Sequence, residues 1–130
     1  MRIIVLIALL INSAYAASDG KTYPDALFGV WGYSDNIPCN QGYVEYLPNG
    51  LEMSVGVFCD QIIAYEAEWW VTDGYLYEKV TKVITHHEGG PILAGDQSKD
   101  KILLLDNNMH KLEEKGQINT YIRLGSSNRN

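Results

Sequence analysis

The chain has few of the residues from which catalytic and metal sites are usually built. Its 130 residues include two cysteines and three histidines, and the cysteines do not form a Cys-x-x-Cys pair of the zinc or redox type. His86 and His87 are adjacent, so on an extended chain they point to opposite sides and cannot easily chelate one metal. Gly89 and Gly90 are followed by Pro91 rather than by a helix start, which argues against a phosphate-binding loop. We therefore expect no enzymatic activity, no cofactor and no metal site.

Basic residues and helical patterns are also scarce. Ten Lys and Arg stand against sixteen Asp and Glu, which gives a net charge of −6 and argues against a nucleic-acid partner or an anionic membrane surface. No apolar spacing typical of a helix persists for three turns. An apolar run covers residues 3–11, which is too short to cross a bilayer. We expect neither nucleic-acid binding nor stable membrane insertion.

The N-terminal segment has the pattern of a secretory signal peptide. Arg2 precedes the apolar run, and Ala14 and Ala16 supply the small-x-small pattern that a signal peptidase cleaves. We therefore expect a secreted or periplasmic protein. Removing this segment takes away one positive charge and leaves the mature chain more acidic. The expected organisation is a signal peptide at 1–16, a polar leader at 17–26, a domain at 27–124 and a frayed tail at 125–130.

The two cysteines flank a predicted β-hairpin. Asn49-Gly50 is a strong signal for a two-residue turn, and with that turn the numbers of opposite residues sum to 99. Asn40 is then opposite Cys59, and Cys39 is one residue away, a distance that a single β-bulge removes. Because export permits oxidation, we expect one structural disulfide between Cys39 and Cys59.

Short alternating segments between turn signals predict an all-β domain. Asp73-Gly74 is a second two-residue hairpin signal, which pairs Thr72 with Tyr75. About eight antiparallel strands in chain order predict an up-and-down barrel, which removes its own edges. The predicted strands cover residues 27–34, 41–47, 51–59, 62–72, 75–85, 101–105, 109–113 and 118–124.

Two motifs near the ends of this domain carry a resemblance to a known family. Gly29-Val30-Trp31 matches the Gly-x-Trp motif that opens the first strand of lipocalins and their calycin relatives. Arg123 stands where that family has a basic residue that packs across the Trp near the end of the last strand. The domain resembles a small lipocalin-like barrel, and the resemblance implies structural roles for Gly29, Trp31 and Arg123. A guanidinium over an indole face is also a favourable cation–π contact.

Charged residues on an otherwise apolar strand face point to a binding interior. The second hairpin places Glu78 opposite Trp69 and Lys82 opposite Tyr65, on the face that also carries Leu76. Buried charges need a partner or water, and an interior with room for a ligand would supply either. The alternative is an interior filled by its own aromatic side chains, which an eight-stranded barrel permits. We expect an apolar or amphipathic small molecule to contact Tyr65, Trp69 and Leu76, with Glu78 and Lys82 orienting it.

The opposite face of the same hairpin supports an alternative. Trp70 and Tyr77 form an outward aromatic pair, and these residue types are enriched where proteins dock. Since the chain is acidic, it could instead be an inhibitor or immunity-type protein that binds a basic secreted or periplasmic protein through Trp70, Tyr77 and the loop at 86–96. The oligomeric state stays open.

Overall fold

The structure is a computed structural model that describes residues 20–34, 41–59, 61–85 and 92–126. The predicted signal peptide, Cys39 and the adjacent His86 and His87 lie outside the described residues. The expected disulfide between Cys39 and Cys59 therefore stays a prediction. No helix in the described segments has the length and apolar character needed to cross a membrane.

Eight β-strands follow a short 3-10 helix. The helix is Asp25–Leu27, and the strands are β1 (Gly29–Tyr33), β2 (Gln41–Tyr46), β3 (Leu51–Phe58), β4 (Gln61–Thr72), β5 (Tyr75–Val83), β6 (Gln97–Leu105), β7 (Met109–Glu114) and β8 (Gln117–Gly125). Each strand pairs antiparallel with the next, and β8 pairs antiparallel with β1. The predicted all-β, antiparallel, up-and-down barrel is confirmed, and closure gives every strand two neighbours.

The turn between β4 and β5 forms as its sequence predicts. Thr72 pairs with Tyr75 across a two-residue loop. Asp73 and Gly74 have φ angles of 52° and 80°. A two-residue type I′ turn needs positive φ at both positions, which Asp-Gly tolerates and which matches the twist of the strands.

The turn between β2 and β3 differs from the prediction by one residue. The Gly50 N–H donates to the Leu47 carbonyl at 3.1 Å, and the Leu47 N–H donates to the Leu51 carbonyl at 2.9 Å. Pro48 presets the φ of a type I turn, and Gly50, with φ 85°, takes the left-handed position that follows it. The loop therefore has three residues, Pro48, Asn49 and Gly50, rather than two.

The longer turn changes which side chain of β3 faces the interior. Tyr46, which is 3% exposed, pairs with Glu52 rather than with Met53. Directly opposite residues share a face of the sheet, so Glu52 points inside. The predicted register was wrong by one residue, and the observed register places a carboxyl group inside the barrel.

Two tryptophans fill the end of the barrel next to the 3-10 helix. Trp31 and Trp69 are fully buried. The Trp31 Nε1–H donates to the Leu27 carbonyl at 2.9 Å, and the Trp69 Nε1–H donates to the Leu47 carbonyl at 3.0 Å. Since both indole donors are paired with backbone, this end forms a packed core that we call the closed end.

Arg123 connects β8 to the closed end through side-chain contacts. Its guanidinium lies 4.3 Å from the centre of the Trp31 ring and donates to the carbonyls of Ala26 and Phe28. This is the contact that the resemblance implies. Gly29 has a φ of 121°, and a Cβ there would lie 2.6 Å from an Arg123 nitrogen. A side chain at Gly29 would therefore displace the guanidinium.

Candidate ligand-binding site

The half of the barrel away from the closed end contains a cavity. Two adjoining spaces, of about 120 Å³ and about 550 Å³, are partly open to solvent. They share the wall residues Tyr33, Tyr65, Glu78, Ile92 and Tyr121 and therefore form one continuous site. Ile92 belongs to the connection between β5 and β6, which places the opening at the end opposite Trp31.

Tyrosines from four strands surround this cavity. Tyr33, Tyr46, Tyr65 and Tyr121 come from β1, β2, β4 and β8. The Tyr33 and Tyr121 rings lie 4.9 Å apart between centroids. Burial, reinforced by the neighbouring Tyr33, raises the pKa of Tyr121, so its phenol stays neutral. The walls thus offer aromatic faces together with hydroxyl groups.

The charged part of the wall is mostly acidic. Glu78, Asp100 and Glu114 line the wider space, on β5, β6 and β7. The Tyr65 hydroxyl donates to Glu78 Oε1 at 2.8 Å. Burial, and then the neighbouring Glu114, raises the pKa of Asp100 to about 7. The positive charge on this wall comes from Lys115, which is exposed in the turn between β7 and β8 at the rim.

Glu52 lies deeper than these carboxyl groups. It is 1% exposed, and neither of its carboxyl oxygens has a hydrogen-bond partner in the described part of the chain. Burial, and then the charge of Glu78, raises the pKa of Glu52 well above its usual value. An unpaired carboxyl group in this position is costly, because its desolvation is not offset by a partner.

The five residues predicted to contact a ligand lie in three different places. Tyr65 and Glu78 are on the cavity wall. Trp69 and Leu76, which are 0% and 2% exposed, belong to the core of the closed end. The expected direct contact of Trp69 and Leu76 with a ligand does not fit this placement, because both side chains are already covered by other core residues.

Lys82, the fifth predicted residue, lies on the outer face. The register between β4 and β5 shifts by one residue between Ala67 and Glu66, so Lys82 pairs with Glu66 rather than with Tyr65. Thr81 is the extra residue of this bulge, and its hydroxyl donates to the Glu66 carbonyl at 3.2 Å. Because a bulge inserts one extra residue, the side chains that follow it lie on the opposite face of the sheet from the one expected. The prediction that Lys82 faces the interior was therefore wrong.

Several residues on or beneath the cavity wall were not predicted from the sequence. The inward position of Glu52 follows only from the observed three-residue turn. Asp100 lay outside the predicted strand, since β6 begins at Gln97 rather than at Lys101. A signal for Tyr121 was present in the sequence, because it is two positions from Arg123 on the same strand and therefore shares its face.

The outward aromatic pair forms as predicted, with lysines around it. The Trp70 and Tyr77 rings stack with centroids 5.5 Å apart. Lys21 Nζ lies 4.2 Å from the Trp70 ring centre, and Lys99 Nζ lies 4.4 Å from that of Tyr75 and 5.8 Å from that of Tyr77. These cation–π contacts place positive charge on this face of the barrel.

His110 separates the cavity from the closed end. It is fully buried, its ring stacks on Tyr121 at 4.6 Å, and it meets Trp31 edge-on at 4.3 Å between centroids. Neither ring nitrogen has a partner among the described residues. Burial, and then the charge of Arg123, lowers the pKa of His110 to about 3, so the imidazole is neutral near pH 7.

No group of three or more His, Cys, Asp or Glu side chains in the described segments could hold a metal ion.

Comparison with known proteins bears on the fold. No family model and no curated protein matched the sequence. The structure is similar to that of a lipocalin-like protein from Bacteroides uniformis, with a TM-score of 0.57 over 76% of this chain and 99% of that chain. The chain has a lipocalin-like fold. At 11% sequence identity this likeness concerns the lipocalin-like architecture and not a ligand.

Proposed function

We propose that this lipocalin-like protein is a non-enzymatic binding barrel for a small amphipathic molecule. The observation that carries the proposal is the cavity of about 550 Å³ that adjoins a second space inside the barrel. An eight-stranded barrel has room for side chains or for one small ligand, and ligand sites commonly occupy about 300–1,000 Å³.

The distribution of side chains supports an amphipathic rather than a purely apolar ligand. Tyr33, Tyr65 and Tyr121 offer ring faces, while Glu78 and Asp100 offer carboxyl oxygens at the same wall. A molecule with an apolar body and one polar group would use both. Because residues 1–16 have the pattern of a signal peptide, we propose that binding takes place outside the cytoplasm, in the periplasm or after secretion.

A cavity-filling substitution tests the proposal. Ser54 lines the narrower space, and Met53 precedes it on β3 with its side chain on the outer face. We expect N-phenyl-1-naphthylamine, a neutral fluorescent probe, to bind the wild type saturably. The Ser54→Phe variant should bind it much more weakly, and the Met53→Phe control should bind like the wild type. Equal binding by both variants, or no saturable binding to the wild type, would refute the proposal.

The surface around Trp70 and Tyr77 does not favour the alternative of a basic protein partner. Lys21 and Lys99 lie over the rings of this pair, so a cationic partner would meet positive charge there. The net negative charge of the chain still permits such a partner elsewhere, but the described contacts of Trp70 and Tyr77 give it no support.

A further inference from the structure

The inner face of the barrel carries an excess of carboxyl groups over cations. Glu52, Glu78 and Asp100 face inward from β3, β5 and β6. The bulge in β5 places Lys82 outside, and Arg123 is held at the closed end by Trp31. A buried carboxyl group either takes up a proton or pairs with a cation, and no cation on the described residues is placed to pair with these three.

Glu52 shows where that group would be needed. Its carboxyl group is almost completely buried, and neither oxygen has a hydrogen-bond partner at normal distance in the described part of the chain. The polar group that interacts with it is another carboxyl group, that of Glu78, rather than a cation. It shares the inner face of β3 with Ser54, two residues on, which lines the cavity. The Glu78 carboxyl, on the wall of both spaces, lies close enough to raise the pKa of Glu52. Glu52 therefore lies on the inner face beneath the same site, behind the residues that line the two spaces.

A second unpaired oxygen lies in the wider space. Asp100 Oδ1 is buried and has no partner among the described residues. The tyrosines around these carboxyl groups add ring faces, which attract cations through their quadrupoles. The carboxyl groups do not form a group that could hold a metal ion in the described segments. An organic cation meets these requirements, because its charge pairs with the acids and its apolar body contacts the rings.

We propose that the ligand is an organic cation, an amine with an apolar body, whose positive group is held between Glu78, Asp100 and Glu52. This inference rests on the proposed binding function and specifies the class of ligand. Glu78 and Asp100 provide the first contacts from the cavity wall. A bound cation would favour the ionised form of Glu52 beneath them, which burial otherwise disfavours. Lys115 lies exposed at the rim, in the turn between β7 and β8.

Three probes with the same ring system and different charges test this inference. They are 1-naphthylmethylamine, the neutral 1-naphthalenemethanol and the anionic 1-naphthoate, titrated into the folded protein by calorimetry. At about pH 8 we expect the amine to bind at least about tenfold more tightly than the alcohol, since charge-assisted hydrogen bonds are worth about 1.5–3 kcal/mol. The naphthoate should bind most weakly.

Matched variants locate the charge effect. Glu78→Gln and Glu52→Gln keep side-chain size and should each reduce the ratio of amine affinity to alcohol affinity. Glu68→Gln removes a carboxyl group from the exposed outer face of β4 and should change nothing. Equal binding of amine and alcohol, a preference for naphthoate, or an unchanged preference in both inner variants would overturn the inference and leave the binding barrel intact. Failure of all three probes to bind would overturn both.

Discussion

Replacing His110 by phenylalanine should raise the stability of the barrel near pH 7 and remove part of its loss of stability in acid. The imidazole is fully buried, and neither of its nitrogens has a partner among the described residues. An unsatisfied buried polar group costs about 1–3 kcal/mol. Phenylalanine keeps a ring against Tyr121 and Trp31 without that cost. Allowing for its slightly larger size, we expect a gain of about 1–2 kcal/mol in the free energy of unfolding.

The acid dependence follows from the lowered pKa of His110. Burial and then Arg123 lower this pKa from 6.5 to about 3. Between these values the unfolded chain binds a proton that the folded protein does not bind. The contribution of the neutral imidazole is therefore complete above pH 6.5 and is lost as the pH falls. When the pH falls from about 7 to about 5, the titration of His110 should lower the wild-type free energy of unfolding by about 2 kcal/mol, at 1.36 kcal/mol per pH unit below 6.5.

Urea unfolding followed by tryptophan fluorescence at these two pH values measures both effects. The difference between His110→Phe and the wild type should grow by about 2 kcal/mol in acid, because carboxyl groups that titrate in both proteins cancel. The His110→Gln control also lacks the titration, but it keeps an unpaired polar group and should not gain stability near pH 7. A difference between His110→Phe and the wild type that is the same at both pH values would show that the reasoning is wrong.

Three further predictions concern the closed end, the cavity wall and the cysteines. Arg123→Lys should lower the free energy of unfolding by about 2–3 kcal/mol, since lysine cannot cover the Trp31 ring and bond several carbonyls at once; urea unfolding near neutral pH checks this. Because the pKa of Asp100 is raised from 3.8 to about 7, its ionisation should destabilise the folded protein as the pH rises through this range. Asp100→Asn should remove that decline in pH-dependent unfolding, and an unchanged pH profile would contradict it. In the β2–β3 hairpin the observed partner numbers sum to 98, as do 39 and 59. If the protein is exported as we propose, we therefore expect no free thiol in it, and loss of about 3 kcal/mol of stability when Cys39 and Cys59 are reduced.

The two hairpins show how much of the register local sequence can predict. At Asp73-Gly74 the turn has no competing signal, and the predicted pairing of Trp70 with Tyr77 and of Trp69 with Glu78 is confirmed. At the other hairpin, Pro48 ahead of Asn-Gly favours a type I turn, which adds one residue to the loop. The Asn-Gly signal alone did not reveal this competition.

The bulge in β5 was hidden from the sequence for a different reason. Thr81 and Lys82 follow Val80 without any glycine or proline that would mark a change of register. The bulge arises where β4 and β5 fit together within the closed barrel, and Tyr65 then pairs with Val83. Pairing of this kind depends on contacts between strands rather than on local backbone preference.

The sequence by itself determined the number and order of the strands and the tight turn at Asp73-Gly74, because these features depend on alternation and turn chemistry that local residues specify. The contact of Arg123 with Trp31 was implied by the resemblance to lipocalins, and the closed barrel brings the two residues together. Only the tertiary structure decided which charges face the interior, because a shift of one residue moves a side chain to the other face of the sheet. Two such shifts place Glu52 inside and Lys82 outside, and the expected interior of mixed charge is mostly acidic for that reason.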